Sequence, residues 1–245
     1  VFFASQLGPC ALYRSKGDGT FEDITEKSGL KLVDQIVVSA SFADVDNDGD
    51  ADLFVTTTRH GNHLFLNQGD GTFIDVTDAS GLGYSGHSSG AVFFDYDRDG
   101  KLDLFVVNVG AFTTDTKGPG DYFISPDNAF YGHLFPNRAE ASRLYHNEGA
   151  GKFREVSTQV GLVDKSWSGD ASIIDVNDDG WPDLYVLNMQ GNNHLWVNVE
   201  GKRFEDQTAK YFPKTPWGAM GIKVFDLDRT LEFEPLELGQ HRLDF

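Results

Sequence analysis

Oxygen-bearing side chains recur at fixed spacing in Asp44-Val45-Asp46-Asn47-Asp48-Gly49-Asp50-Ala51-Asp52, again from Asp95 to Asp103, and, with one Asn, from Asp175 to Asp183. Donors at positions 1, 3 and 5, a Gly at position 6 for a sharp turn and an acid at position 9 make an oxygen-only shell, which a hard cation such as Ca2+ prefers. The side-chain ligands are then Asp44, Asp46, Asp48 and Asp52; Asp95, Asp97, Asp99 and Asp103; and Asp175, Asn177, Asp179 and Asp183. Position 7 contributes its backbone carbonyl, from Asp50, Lys101 and Trp181 in turn. An EF-hand begins the same way but needs a Glu at position 12 and a helix on each side. Position 12 here is Val55, Val106 and Val186. A plain Asp-Gly hairpin turn leaves the repeated spacing of the oxygens unexplained.

The elements that must position these loops are strands. Leu53-Phe54-Val55-Thr56, Leu104-Phe105-Val106-Val107 and Leu184-Tyr185-Val186-Leu187 follow the loops as β-branched and aromatic runs. Loop starts at 44, 95, 175 and, degraded, 226 are separated by 51, 80 and 51 residues. A second marker, a Gly-rich turn ending at Phe21, Phe73, Phe153 and Phe204, moves with them. The long step is one unit carrying an insert of about 29 residues, and units of about 50 residues with four strands have the size of a propeller blade. Small residues crowd each first strand: Ser39 and Ala40; Ser88, Ser89, Gly90 and Ala91; Ser168, Gly169 and Ala171; Gly218, Ala219 and Gly221. Strands converging on a narrow axis require them.

The 245 residues include 27 Gly, 20 Phe and one cysteine, Cys10, so an intramolecular disulfide is excluded. A formal charge of −18 argues against nucleic acid and anionic membrane surfaces as partners, since both would be repelled. No apolar run reaches membrane-span length. The chain opens on Val1 with no signal peptide, and any targeting segment lies outside it.

The repeats, with Gly-Thr-Phe, Asp-Val-Thr and Ser-Gly-Leu between 71 and 82 and Trp-Gly-Ala-Met-Gly-Ile before Asp226, resemble the FG-GAP or VCBS repeat proteins. That family's calcium-binding propellers include the headpiece repeats of integrin α chains, and the fuller pattern is similar to the bacterial and cartilage acidic protein group. The resemblance covers residues 1 to about 228 and implies Ca2+ at about three sites. It implies an all-β propeller at 1–228 with blades near 35–80, 86–158, 167–209, and 217–228 completed by 1–25. Four blades closed by pairing the terminal strands is one expectation; an open fragment of a larger propeller is the alternative. Thr230 falls where the fifth-position donor belongs, leaving a fourth site at Asp226 and Asp228 incomplete. Residues 229–245 match no repeat and read as foreign or frameshifted sequence.

Loops and turns of one kind fall on one face of such a fold, and variable segments on the other. The variable set comprises the insert at 109–138, with Phe112, Tyr122, Phe123, Phe130, Tyr131, His133 and Phe135, and the inter-blade links. Long aromatic loops on rigid scaffolds carry function or pack as lids. Candidate ligand-binding residues are Trp167, Trp217, Tyr122, Tyr131 and His133, against the plainer reading of the two Trp as packing between blades. His87 and Asp170 are catalytic candidates at the channel mouth, against the plainer reading of hydrogen-bonded structural residues. No nucleophile elbow or phosphate-cradling loop is present. Two functions are expected: a calcium-stabilised binding or adhesion module for a carbohydrate, protein or small molecule, or a metal-dependent hydrolase or lyase. An extracellular or periplasmic monomer or homodimer fits weak calcium sites.

Overall fold

Each repeat places its continuous apolar run second in a four-stranded antiparallel sheet, where both faces are covered. The computed structural model describes residues 1–6, 8–30, 32–129, 131–225 and 234–239. Strands β1 (Phe2–Phe3), β2 (Ala11–Ser15) and β3 (Phe21–Asp23) form a three-stranded sheet. Three complete blades follow: β4 (Ile36–Ala43), β5 (Asp52–Thr58), β6 (His63–Asn67) and β7 (Phe73–Asp75); then β8 (Ser88–Phe94), β9 (Asp103–Asn108), β10 (Arg143–Gly149) and β11 (Lys152–Glu155); then β12 (Trp167–Ile174), β13 (Asp183–Gln190), β14 (His194–Val199) and β15 (Arg203–Asp206). A two-stranded sheet of β16 (Ala219–Phe225) and β17 (Glu234–Gly239) ends the array. One-turn helices α1 (Thr25–Ser28), α2 (Thr77–Ser80) and α3 (Thr208–Tyr211) cap the outer strands of three sheets.

The period-2 alternation of the second strands assigns their side chains to successive interfaces. Leu53 and Val55 of β5 pack back on Leu12 and Ile24, whereas Phe54 packs forward with Leu104 and Val106 of β9. Phe105 and Val107 then meet Leu184 and Val186 of β13, and Tyr185 and Leu187 meet Ala219 and Ile222 of β16. The core is thus a series of layers between blades. Inner strands lie side by side, β4 by β8, β8 by β12 and β12 by β16. Small residues permit this approach: the Ser41 hydroxyl donates to Ala91 O at 3.0 Å and that of Ser89 to Ser168 O at 3.2 Å.

Every inner strand carries a bulge at the same place, leaving Val38, Ser89, Gly169 and Met220 as the unpaired extra residues. Inter-blade links turn at a left-handed glycine, clearest at Gly81 (φ 81°), where a Cβ would meet Phe153 O at 2.7 Å.

The terminal strands do not pair with each other, which corrects the expectation of closure. β16 pairs with β17 in the register used by the first two strands of every other blade, Phe225 opposite Glu234 as Ile174 is opposite Asp183. β1 pairs with β2. The edge of β16 is therefore filled by a neighbour a few residues away, a far smaller loop to close than one joining the chain ends. The sheets form an open array, with Glu234–Gly239 in the second-strand place. Asp226 and Asp228 lie outside the described residues.

Candidate metal loops and the central cavity

At the ends of β4, β8 and β12 the chain reverses around the first aspartate of each loop. Asp44 Oδ1 accepts from Asp48 N (3.1 Å) and Oδ2 from Gly49 N (3.0 Å), with Gly49 at φ 96°. Asp95 and Asp175 hold their loops in the same way. The fourth-position residues Asn47, Arg98 and Asp178 take left-handed backbone. The ninth-position acid is buried and staples the loop to two strands: Asp52 accepts from Val45 N and Asn67 N, Asp103 from Tyr96 N and Asn147 N, and Asp183 from Val176 N and Asn198 N. The oxygens of Asp52 and Asp183 each retain a further lone pair, while Asp103 Oδ1 also has the His146 imidazole beside it at 3.1 Å.

Carboxylates converge in the first two loops. Oxygens of Asp44, Asp46 and Asp48 lie within 4.8 Å of one another, as do those of Asp95, Asp97 and Asp103. In the third loop Asn177 replaces an acid and its amide donates to Asp179 Oδ2 at 2.9 Å. Desolvation, then repulsion from Asp48 and Asp44, pushes the Asp46 carboxyl up; desolvation and Asp99 do the same to Asp97. Burial raises Asp52 and Asp183 to about 6 and Asp103 to about 7. Asp97 Oδ1 is buried with no hydrogen-bond partner. Crowded, desolvated oxygens with an orphaned lone pair fit a divalent cation, whose charge would relieve all three penalties.

The opposite ends of the inner strands surround a cavity of about 720 Å³. It is lined by Ile36, by the bulge residues Val38, Ser89 and Met220, by Phe112, Thr113 and Phe123 of the insert, and by Trp167, Met189 and Trp217. Among the described residues no charged side chain lines it. Val38 and Asp44 are six residues apart along an extended strand, so the cavity and the metal loops are separated by roughly 20 Å. Trp167 is buried beneath Gly110 and Gly132 of the insert, with Nε1 unpartnered, and Trp217 is 60% exposed at the rim.

The catalytic candidates receive separate partners. His87 is buried; its Nδ1 lies 2.7 Å from Glu140 Oε1 and its Nε2 2.7 Å from Thr113 Oγ1. Burial alone would raise the Glu140 carboxyl, but hydrogen bonds from the His87 side chain and backbone hold it below its usual value. Arg59 donates to Thr113 Oγ1 (3.3 Å) and Thr114 O (2.9 Å) and pairs with Asp115. Asp170 instead accepts from Ala171 N at 2.9 Å and Ile222 N at 3.5 Å. This network ties the insert to two blades. Tyr122 and Tyr131 are exposed, and Tyr122 lines a smaller cleft with Val33, Ile36 and His60. The backbone of His133 lies in the short turn Gly132–Leu134.

The sequence profile of the FG-GAP-like repeat matches residues 1–55, 44–106, 121–186 and 175–230. The chain belongs to the FG-GAP-like repeat family. Among curated relatives, cartilage acidic protein 1 of Xenopus tropicalis is 24% identical over 230 residues, covering 91% of this chain and 32% of the relative. The Mus musculus protein of the same name is 28% identical over 104 residues, covering 42% of this chain and 16% of its own. The Homo sapiens one is 37% identical over 59 residues, covering 24% and 9%. This FG-GAP repeat chain therefore spans about a third of the frog relative and less of the others. Among the described residues no helix is long and apolar enough to cross a membrane.

Sequence reasoning passed over the asparagine near the end of each third strand, Asn67, Asn147 and Asn198. Asn147 Nδ2 donates to Leu102 O (3.0 Å) in its own FG-GAP repeat and to Val45 O (2.8 Å) in the previous repeat's metal loop. Asn198 repeats this with Pro182 O (3.1 Å) and Tyr96 O (2.8 Å). The signal was available, since Asn67 and Asn198 both stand 23 residues after their loop starts. Neighbouring loops also touch directly: Asn47 Nδ2 donates to Gly100 O at 3.1 Å, and the Arg98 guanidinium lies 4.4 Å over the Trp181 ring.

Proposed function

We propose that the chain is a calcium-stabilised binding module acting outside the cell or in the periplasm, with its ligand face at the central cavity beneath the insert. The observation that carries this reading is the uncharged, aromatic-walled cavity of about 720 Å³ in a chain of net charge −18. That volume lies within the usual range of small-ligand pockets, and charge depletion with exposed aromatics marks binding surfaces rather than solvated ones. Ca2+ bound by Asp44, Asp46, Asp48 and Asp52 in the first loop, and by Asp175, Asn177, Asp179 and Asp183 in the third, with a divalent cation among Asp95, Asp97, Asp99 and Asp103 in the second, would neutralise repelling carboxylates and cross-link strand ends. Its contribution at that distance from the cavity is structural. Loops of this kind are commonly filled at the calcium concentrations found outside cells, which supports the proposed location.

The network of Glu140, His87, Thr113 and Arg59 supports a fixed insert as one wall of the face. Screening neutral small molecules, oligosaccharides and peptides against the calcium-loaded chain tests the reading. Trp217→Ala should weaken a genuine ligand about tenfold, given about 1.5 kcal/mol for a lost aromatic contact, and leave the thermal midpoint unchanged. A ligand whose affinity ignored Trp217→Ala and a cavity-filling Ser89→Phe would show that recognition lies elsewhere.

A further inference from the structure

Three metal loops in one chain serve as controls for one another, and the second departs from the other two. On β10 the residue before Asn147 is His146, where β6 has Leu66 and β14 has Val197. His146 Nδ1 stands 3.1 Å from Asp103 Oδ1 and 3.5 Å from Asp97 Oδ2. His146, Asp97 and Asp99 each bring one donor atom into a group no wider than 4.8 Å. The Tyr96 ring, edge-on at 6.0 Å, helps to fix the imidazole. At position 7, where the other loops have Asp50 and Trp181, Lys101 turns its ammonium onto Asp99 Oδ2.

Both departures act in one direction. Ca2+ takes six to eight oxygens and gains from each added negative charge, whereas imidazole suits the borderline first-row ions. Lys101 cancels one carboxylate charge and occupies one oxygen; His146 adds a nitrogen. Donors 3.1–3.5 Å apart match the edges of a polyhedron around an ion bonded at about 2.1 Å. The orphaned Asp97 Oδ1 shows that one ligand is still unsatisfied after all protein hydrogen bonds are made.

We infer that the second loop is a mixed nitrogen and oxygen site, in which His146 joins Asp97 and its neighbouring carboxylates to select an ion of the Mn2+ to Zn2+ series over Ca2+. The inference rests on the reading of these loops as metal sites. Chelator-stripped protein is titrated with Ca2+, Zn2+ and Co2+, each alone, by calorimetry, with visible absorption for Co2+. One Co2+ or Zn2+ site is expected beside separate calcium binding, and Ca2+ in excess should not displace it. His146→Leu, which installs the first blade's residue, should weaken Zn2+ and Co2+ at least tenfold and leave the calcium isotherm of the other loops intact. Lys101→Ala should tighten Ca2+ at the second loop. In the unmodified chain the His146 imidazole 15N resonances should move on adding Zn2+ and stay in place on adding Ca2+, a readout that does not depend on a variant folding. Three equivalent calcium sites, unchanged Co2+ affinity in His146→Leu, or imidazole resonances indifferent to Zn2+ would each overturn the inference. Absence of any metal binding would instead overturn the calcium reading on which it stands.

Discussion

Asn147→Ala tests whether the blades are held together through their metal loops. Asn147 is fully buried and makes three side-chain hydrogen bonds: to Val45 O across the blade boundary, to Leu102 O, and from Gly149 N. At about 1 kcal/mol net for each, and with two carbonyls left without this partner, the loss is about 3 kcal/mol. For a chain of this size that corresponds to a fall of roughly 6–12 °C in thermal midpoint. Asn67 occupies the same place in the first blade but is only half-buried, and its amide reaches only Ala51 O of its own blade. Its Oδ1 also accepts from Gly69 N at 3.1 Å, so by the same arithmetic Asn67→Ala should cost about 2 kcal/mol, or roughly 4–8 °C. Calorimetry of both variants and of Asn198→Ala, in saturating calcium, provides the comparison. Asn198→Ala should match Asn147→Ala. If Asn67→Ala lost as much as Asn147→Ala, the bond between blades would contribute nothing distinctive and the reasoning would fail.

Stripping metal with a chelator should lower the thermal midpoint, because a ligand at a hundred times its dissociation constant stabilises by about 2.7 kcal/mol per site; an unchanged midpoint would remove the structural role of calcium. In chelator, the raised carboxyls of Asp52, Asp103 and Asp183 keep protons in the folded state that the unfolded chain has released, so stability should fall as pH climbs from about 4 to about 7. Urea unfolding at both ends of that window checks the sign, and a rise would contradict it. Asp95→Ala should abolish one metal-binding event by calorimetry, since Asp95 anchors the second loop through two backbone amides; undiminished stoichiometry would count against the ligand set. Deleting residues 1–25 should expose Leu53, Val55 and Phe65 and speed hydrogen exchange in β5 and β6, while Ala219–Phe225, paired with β17, keeps its protection. Lost protection over Ala219–Phe225 would revive closure through the terminal strands.

Much of the fold could be read from the chain because its strongest signals are local. A loop that must place several oxygens within one turn writes them at fixed spacing, and a strand buried on both faces must be apolar throughout, as Leu53–Val55 and Leu184–Leu187 are. What escaped the reading depends on contacts that spacing does not encode. Glu140 meets His87 across 53 residues and the whole insert, so neither residue announced the other. His146 was hidden by the same insert, which displaces β10 from its expected offset. The helices α1 to α3 are a single turn each, too short for periodicity to register. The two ends of the chain complement each other in sequence and so suggest closure, but a nearer partner strand in Glu234–Gly239 takes the edge of β16.

The bulge shared by the inner strands separates two kinds of evolutionary constraint. Val38, Ser89 and Met220 make no ladder pair, yet they form part of the cavity wall, while the residues on either side of each are committed to pairing. In the third blade that position is Gly169, and Met189 comes within 2.9 Å of where its Cβ would be. Substitutions at Val38 and Met220 redraw the interior surface while the ladders and the distant loops stay as they are, whereas the Ser89 hydroxyl also bonds Ser168 O of the next inner strand and Gly169 leaves no room for a side chain. Descendants of such a chain can drift in specificity along a path that folding does not police.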